Sequence, residues 1–111
     1  MQAKEYQKAA YRTANQDLTD IEQIQNAVMG MAGEAGEAVD IVKKWLFQGH
    51  KLDLEHLWKE AGDVLWYIAL LCTVTGMDME EIMEENIDKL RGRYPEKFDT
   101  KLSQHRRDGD I

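Results

Sequence analysis

Proline occurs once in the 111 residues, at Pro95, so almost nothing breaks a helix before that point. Cysteine also occurs once, at Cys72, inside an apolar run. One thiol excludes an intramolecular disulfide, and no neighbouring residue would serve as partner to a nucleophilic cysteine. A small buried apolar side chain is the simpler reading, and the usage fits a reducing cytoplasm. Histidine is limited to His50, His56 and His105, without the spacing of metal ligands. With no Glu-x-x-His after either acidic pair described below, zinc and di-iron carboxylate sites are disfavoured. Period-two alternation is missing, and with it any strand signal. No apolar run approaches the ~18 residues needed to cross a bilayer, and no membrane role is expected. The N-terminus, Met1 to Tyr6, lacks the apolar stretch of a signal peptide. Positive charge is scarce: 14 Lys and Arg stand against 21 Asp and Glu, a formal net charge of −7. That argues against general binding to nucleic acid, which requires a basic face. A small anionic substrate stays open, because a bound metal ion can invert the local field.

What is present describes one soluble all-α domain over residues 1–111. The apolar share of 43% and charged share of 32% suit a globular chain with a moderate core. Four helices are predicted. The first covers about Ala3 to Asn15, within an N-terminal segment of about 1–16, with Tyr6, Ala9, Ala10 and Thr13 on a weakly apolar face. The second opens with Thr19-Asp20-Ile21-Glu22, a capping-box pattern, and runs to about Phe47 before Gly49. Its apolar stripe is Ile21, Ile24, Val28, Met31, Ala35, Val39, Val42 and Leu46. Gly30, Gly33 and Gly36 lie inside it at about 1 kcal/mol each against alanine. The apolar period continues in phase through them, so close backbone approach is favoured over a break. The third helix takes Asp53 as N-cap and ends near Gly76. The fourth begins at Asp78-Met79-Glu80-Glu81, read as a capping box, and ends near Gly92. Tyr94 and Phe98 are expected to anchor a turn, and residues 101–111 form a polar, mobile tail.

Two acidic pairs organise this chain: Glu34-x-x-Glu37 on the second helix and Glu60-x-x-Asp63 on the third. Residues at i and i+3 share a helix face, and like charges there disfavour an isolated helix by about 0.2–0.5 kcal/mol. Glu37 lies 12 residues before Gly49 and Glu60 lies 11 after it. At about 1.5 Å per residue both sit roughly 17 Å from the turn, so the pairs can face each other across a helical hairpin. Four such carboxylates would retain protons unless cations neutralise them. Oxygen-only ligands suit Mg²⁺, with Mn²⁺ as the alternative. Beside Lys and Arg, that points to metal-assisted hydrolysis of a phosphate compound. Asn86, Lys89 and Arg93 recur on one side of the fourth helix; from spacing alone they read as a solvated cationic edge. Trp45, Trp66, Tyr67 and His50 read first as core or interface and second as groups that contact a base.

The two acidic pairs, the latter within Glu60-Ala61-Gly62-Asp63-Val64-Leu65-Trp66-Tyr67, resemble the metal signature of MazG-like all-α nucleoside triphosphate pyrophosphohydrolases. Asn86-x-x-Lys89-Leu90-x-x-Arg93-Tyr94-Pro95 is similar to that family's third motif. Lys43-Lys44-Trp45-Leu46-Phe47-Gln48-Gly49-His50 and the opening Glu5-Tyr6-Gln7-x-x-Ala10-x-Arg12-Thr13-Ala14 resemble further segments of its small members. The likeness covers about residues 5–98, with one departure at Ala61, where a larger apolar residue is common. The resemblance implies a four-helix MazG-like bundle completed by homo-oligomerisation, as a dimer or a dimer of dimers. It implies Mg²⁺-dependent cleavage of an NTP or dNTP between the α- and β-phosphates, giving a monophosphate and pyrophosphate in nucleotide-pool sanitation. Glu34, Glu37, Glu60 and Asp63 would be metal ligands and catalytic residues. Asn86, Lys89 and Arg93 would contact substrate, with Lys43 and Lys44 as further phosphate-binding candidates. The competing class is a non-catalytic acidic bundle that holds metal or a protein partner, which would have no need of those cationic groups.

Overall fold

The computed structural model describes residues 1–111, with helices α1 (Ala3–Tyr11), α2 (Asp20–Phe47), α3 (Leu54–Thr75), α4 (Met79–Arg93) and α5 (Thr100–Gln104) and no strand. No helix is long and apolar enough to cross a membrane.

The helix boundaries follow from local chemistry. At the start of α2, Thr19 Oγ1 accepts the Glu22 N–H at 3.2 Å, and Glu22 Oε1 accepts the Thr19 N–H at 3.0 Å. That reciprocal pair satisfies two donors with no intrahelical partner. The helix then runs unbroken through Gly30, Gly33 and Gly36. Asp53 caps α3 by accepting the His56 N–H at 3.0 Å. Gly76 closes α3 in the left-handed region, φ 74°, where a Cβ would be strained. There the Met77 N–H reaches Cys72 O at 2.8 Å in a Schellman arrangement.

Three boundaries differ from expectation. Helix α1 stops at Tyr11 rather than near Asn15, because local side chains compete for its last backbone groups. Thr13 Oγ1 donates to Ala10 O at 3.0 Å, and Asn15 Oδ1 accepts the Asp17 N–H at 3.1 Å. Asp78 caps α4 through the Glu80 N–H at 2.9 Å, without the reciprocal bond from Glu81 that a capping box would add. The C-terminal tail also has structure: α5 is capped by Asp99, and Asp110 returns to α4.

Helices α2 and α3 form an antiparallel hairpin, about 42 and 33 Å long from their residue counts. Helix α1 packs on α3, and α4 leans mainly on α1. The small core joins Ala10, Ala69, Cys72 and Met79, bordered by Tyr6, Trp66 and Ile68. Two side chains pin α1 in place. Trp66 Nε1 donates to Ala10 O at 3.1 Å and Thr13 Oγ1 at 3.0 Å. Gln7 Nε2 donates to Met77 O at 2.9 Å, while its Oε1 accepts the Met79 N–H at 2.7 Å. Cys72 is fully buried, as its apolar setting suggested, and burial pushes its thiol pKa up.

The buried face of α2 is not the expected aliphatic stripe. Gln23 and Ala27 are buried, with Gly30, Glu34, Ala38 and Ile41 partly covered on the same side. Ile21, Val28, Val39 and Leu46 are more than half exposed. Small residues win that face because the helices approach closely: a Cβ on Gly30 would overlap the Tyr67 ring. Gly33 and Gly36 meet nothing within 4 Å, so close approach within the chain accounts for Gly30 alone.

Candidate metal and substrate site

The hairpin brings the acidic pairs together. Carboxylate oxygens of Glu34, Glu37 and Glu60 lie within 4.8 Å of one another. Each pair shares a helix face, and the similar distance of Glu37 and Glu60 from the turn sets both at one level. Asp63, one turn along α3 from Glu60, stands outside this trio and is exposed. Its charge nevertheless reaches the cluster: after burial it raises the pKa of the Tyr6 phenol, and it adds the smallest of the contributions that raise Glu34.

Burial makes the cluster costly. Glu60 is only 5% exposed, although it is a carboxylate facing two others. With all three ionised, Glu34 Oε2 and Glu60 Oε2 are buried without a hydrogen-bond donor. Such atoms forfeit their hydration with nothing in return. A proton relieves this. A hydrogen bond to Glu60, then desolvation and the charges of Glu37, Glu60 and Asp63, push the Glu34 pKa up to about 7. Glu60 moves down, chiefly through its hydrogen bond with Glu34 and also through Glu37 and His56. A divalent cation would satisfy the same oxygens without a proton. Two orphaned carboxylate oxygens inside an all-oxygen donor set fit a hard ion such as Mg²⁺ or Mn²⁺.

His56 belongs to this site although its spacing had not marked it as a ligand. Its Nε2 lies 2.9 Å from Glu60 Oε1. The available signal was the i, i+4 relation on a capped helix, which stacks His56 and Glu60 on one face. Beside the carboxylates opens a polar cavity of about 410 Å³, lined by Glu37, Lys44, His50, Lys51, His56 and Glu60 among others.

The expected cationic groups are dispersed. Lys44 lines that cavity but is bound to Asp40 at 2.8 Å, and Lys43 contacts the same carboxylate at 3.3 Å. Asn86 lines a separate, mainly apolar cavity of about 520 Å³ with Tyr6 and Leu65. Lys89 is exposed on α4 and makes no ion pair. Arg93 is nearly buried and grips Asp110 with two bonds of 2.9 Å, through Nε and one terminal nitrogen. That pairing pulls the Asp110 carboxyl below its usual range. Among the aromatic residues considered for a base, Trp66 and Tyr67 meet edge to face at 5.0 Å, with Trp66 bonded to the end of α1 and Tyr67 against Gly30 of α2. Trp45 is 44% exposed, and His50 lines the polar cavity.

Residues 22–98 match the MazG nucleotide pyrophosphohydrolase domain. The chain is also 35% identical over 99 residues to the Gene 37 protein of Mycobacterium phage L5, covering 79% of this chain and 84% of that protein. No solved structure matches it. The matched region spans both acidic pairs, the turn between them and α4, so the clustered acids, the helical order and the family pattern coincide in one segment. The chain belongs to the MazG nucleotide pyrophosphohydrolase family.

Proposed function

We propose that this chain is a Mg²⁺-dependent nucleoside triphosphate pyrophosphohydrolase acting on an NTP or dNTP. Water adds at phosphorus and the α–β bridge breaks, so the products are a nucleoside monophosphate and pyrophosphate. The observation that carries this reading is the gathering of Glu34, Glu37 and Glu60 around two buried, unpartnered carboxylate oxygens in a chain of this family. Those three residues hold the cation, with Asp63 completing the set. When bound, Mg²⁺ supplies the positive charge that offsets these acids, draws electron density from phosphate oxygens and polarises water. One carboxylate of the set orients the attacking water. Lys44 borders the adjoining cavity and suits a phosphate, with Lys43 beside it. Asn86, Lys89 and Arg93 follow as substrate contacts on α4. Mn²⁺ would serve in place of Mg²⁺, having the same preference for oxygen.

Assembly of two or four copies belongs to the same reading. It is supported by the bare aliphatic stripe of α2 and by a radius of gyration of 17.1 Å. A compact chain of this length would measure about 13 Å.

A substrate panel tests the activity. Standard and modified NTPs and dNTPs are incubated with and without Mg²⁺, and products are separated by anion exchange. Monophosphate and pyrophosphate, formed only with metal, are expected. Diphosphate and orthophosphate would indicate a different phosphohydrolase, and metal binding without turnover would indicate the acidic binding module. Glu37→Gln and Asp63→Asn should each abolish turnover while circular dichroism reports unchanged helix content. Full activity in either would remove the metal-site reading.

A further inference from the structure

We infer, building on the cation reading above, that His56 is a positioning residue: it ties down one oxygen of Glu60 so that the other faces Glu34 and Glu37. The connection begins at the helix end. Asp53 accepts the His56 N–H at 3.0 Å and orders the first turn of α3. One turn later the His56 ring reaches Glu60, with Nε2 2.9 Å from Oε1. An ionised carboxylate only accepts, so the imidazole donates through Nε2–H. With the neighbouring acids ionised, Glu60 Oε2 is buried and has no donor. The two oxygens of one buried side chain are thus separated in role: Oε1 is held and Oε2 is left in the carboxylate cluster.

No other fixed donor reaches Glu60. Glu34 and Glu37 face it from α2, and as acids they donate to it only while they hold a proton. Without the imidazole, neither Glu60 oxygen would have a fixed donor, and the carboxylate would be free to turn away from its like-charged neighbours. His56 also lines the polar cavity at the edge of the cluster, where the ring is half exposed. The bond joins two residues of a single helix and crosses no packing interface, so it contributes little to holding the hairpin closed. Its consequence falls on the orientation of one ligand. Groups that orient a metal ligand in this way typically contribute about 10–100-fold to affinity.

Titration of the full-length chain with Mn²⁺, followed by electron paramagnetic resonance and calorimetry, tests this without substrate. His56→Ala should weaken Mn²⁺ binding by about tenfold, the lower end of that range because the ring is partly solvated. The metal-free melting temperature should stay near that of the unaltered chain. His56→Gln, whose amide can donate to Glu60 across the same turn, should recover most of the affinity. Unchanged Mn²⁺ affinity in His56→Ala would overturn the role, as would a folded His56→Gln that binds as weakly as the alanine variant. Failure of the unaltered chain to bind Mn²⁺ would remove the cation reading itself, and this role with it.

Discussion

Glu34 and Asp110 show how neighbours decide what a carboxyl group does. Asp110 lies against Arg93 and is held ionised, so the stability it contributes is present above its ordinary pKa of 3.8 and is lost as pH falls through the lower folded value. Glu34 has the opposite sign. Its folded pKa is raised from 4.5 to about 7, so its contribution is fully present below 4.5 and is lost as pH rises through about 7. Glu60 and Asp40 are shifted downward and stay ionised across neutrality, adding no slope there. In chelator, the melting temperature should therefore fall as pH rises from about 4.5 to about 7 and level off above that, the window between the ordinary and the folded Glu34 values. Glu34→Gln should flatten that slope, and saturating Mg²⁺ should raise stability most at the alkaline end. A slope that persists in Glu34→Gln would place the titration on another group. At this scale the sequence was informative about the acids, because spacing alone puts each pair on one helix face. It was silent on His56, whose role depends on the burial of Glu60. It was equally silent on Arg93, whose partner lies 17 residues away in a tail that composition marked as polar and mobile.

Between residues and whole helices, the glycines of α2 separate local propensity from packing. Capping residues made the extent of α2 legible to within a residue, since Thr19 and Glu22 form their reciprocal bonds as the pattern indicates. The direction in which the helix faces was not legible. Hydrophobic periodicity reports where apolar residues lie, but not whether the nearest helix or another surface covers them. Gly30 decides the matter, because its missing Cβ lets Tyr67 lie against the α2 backbone. Gly30→Ala should destabilise the fold despite the helix propensity gained, about 1 kcal/mol, because overpacking a close contact costs about 1–3 kcal/mol. Gly36→Ala isolates the propensity contribution, since an added Cβ there meets nothing within 4 Å. Chemical denaturation should show a gain of up to about 1 kcal/mol at position 36 and a net loss at position 30. A loss at Gly36 as well would indicate that another copy approaches that face.

Taken as a whole molecule, the chain leaves most of its larger apolar side chains uncovered. Only eight residues are buried, half of them alanine or cysteine, while Val28, Val39, Phe47 and Trp58 are each more than half exposed. Exposed apolar surface marks an interaction face where it is contiguous over more than a few hundred Å². Ile21, Val28 and Ala35 recur every seven residues along α2, the repeat that lets one helix pack along another. In the oligomer proposed above, the same stripe that sequence periodicity assigned to the core would form a core between copies. Val28→Lys combined with Val39→Lys should reduce the assembly to monomers, measured by sedimentation equilibrium. Helix content should be largely retained, because neither side chain is buried within the chain. Dissociation should also expose apolar surface to a dye such as ANS. A monodisperse monomer of the unaltered chain at micromolar concentration would refute self-association through this face. Monomeric double variants that keep full turnover would show instead that one hairpin suffices for the chemistry, and that Asn86, Lys89 and Arg93 act, if at all, within their own chain.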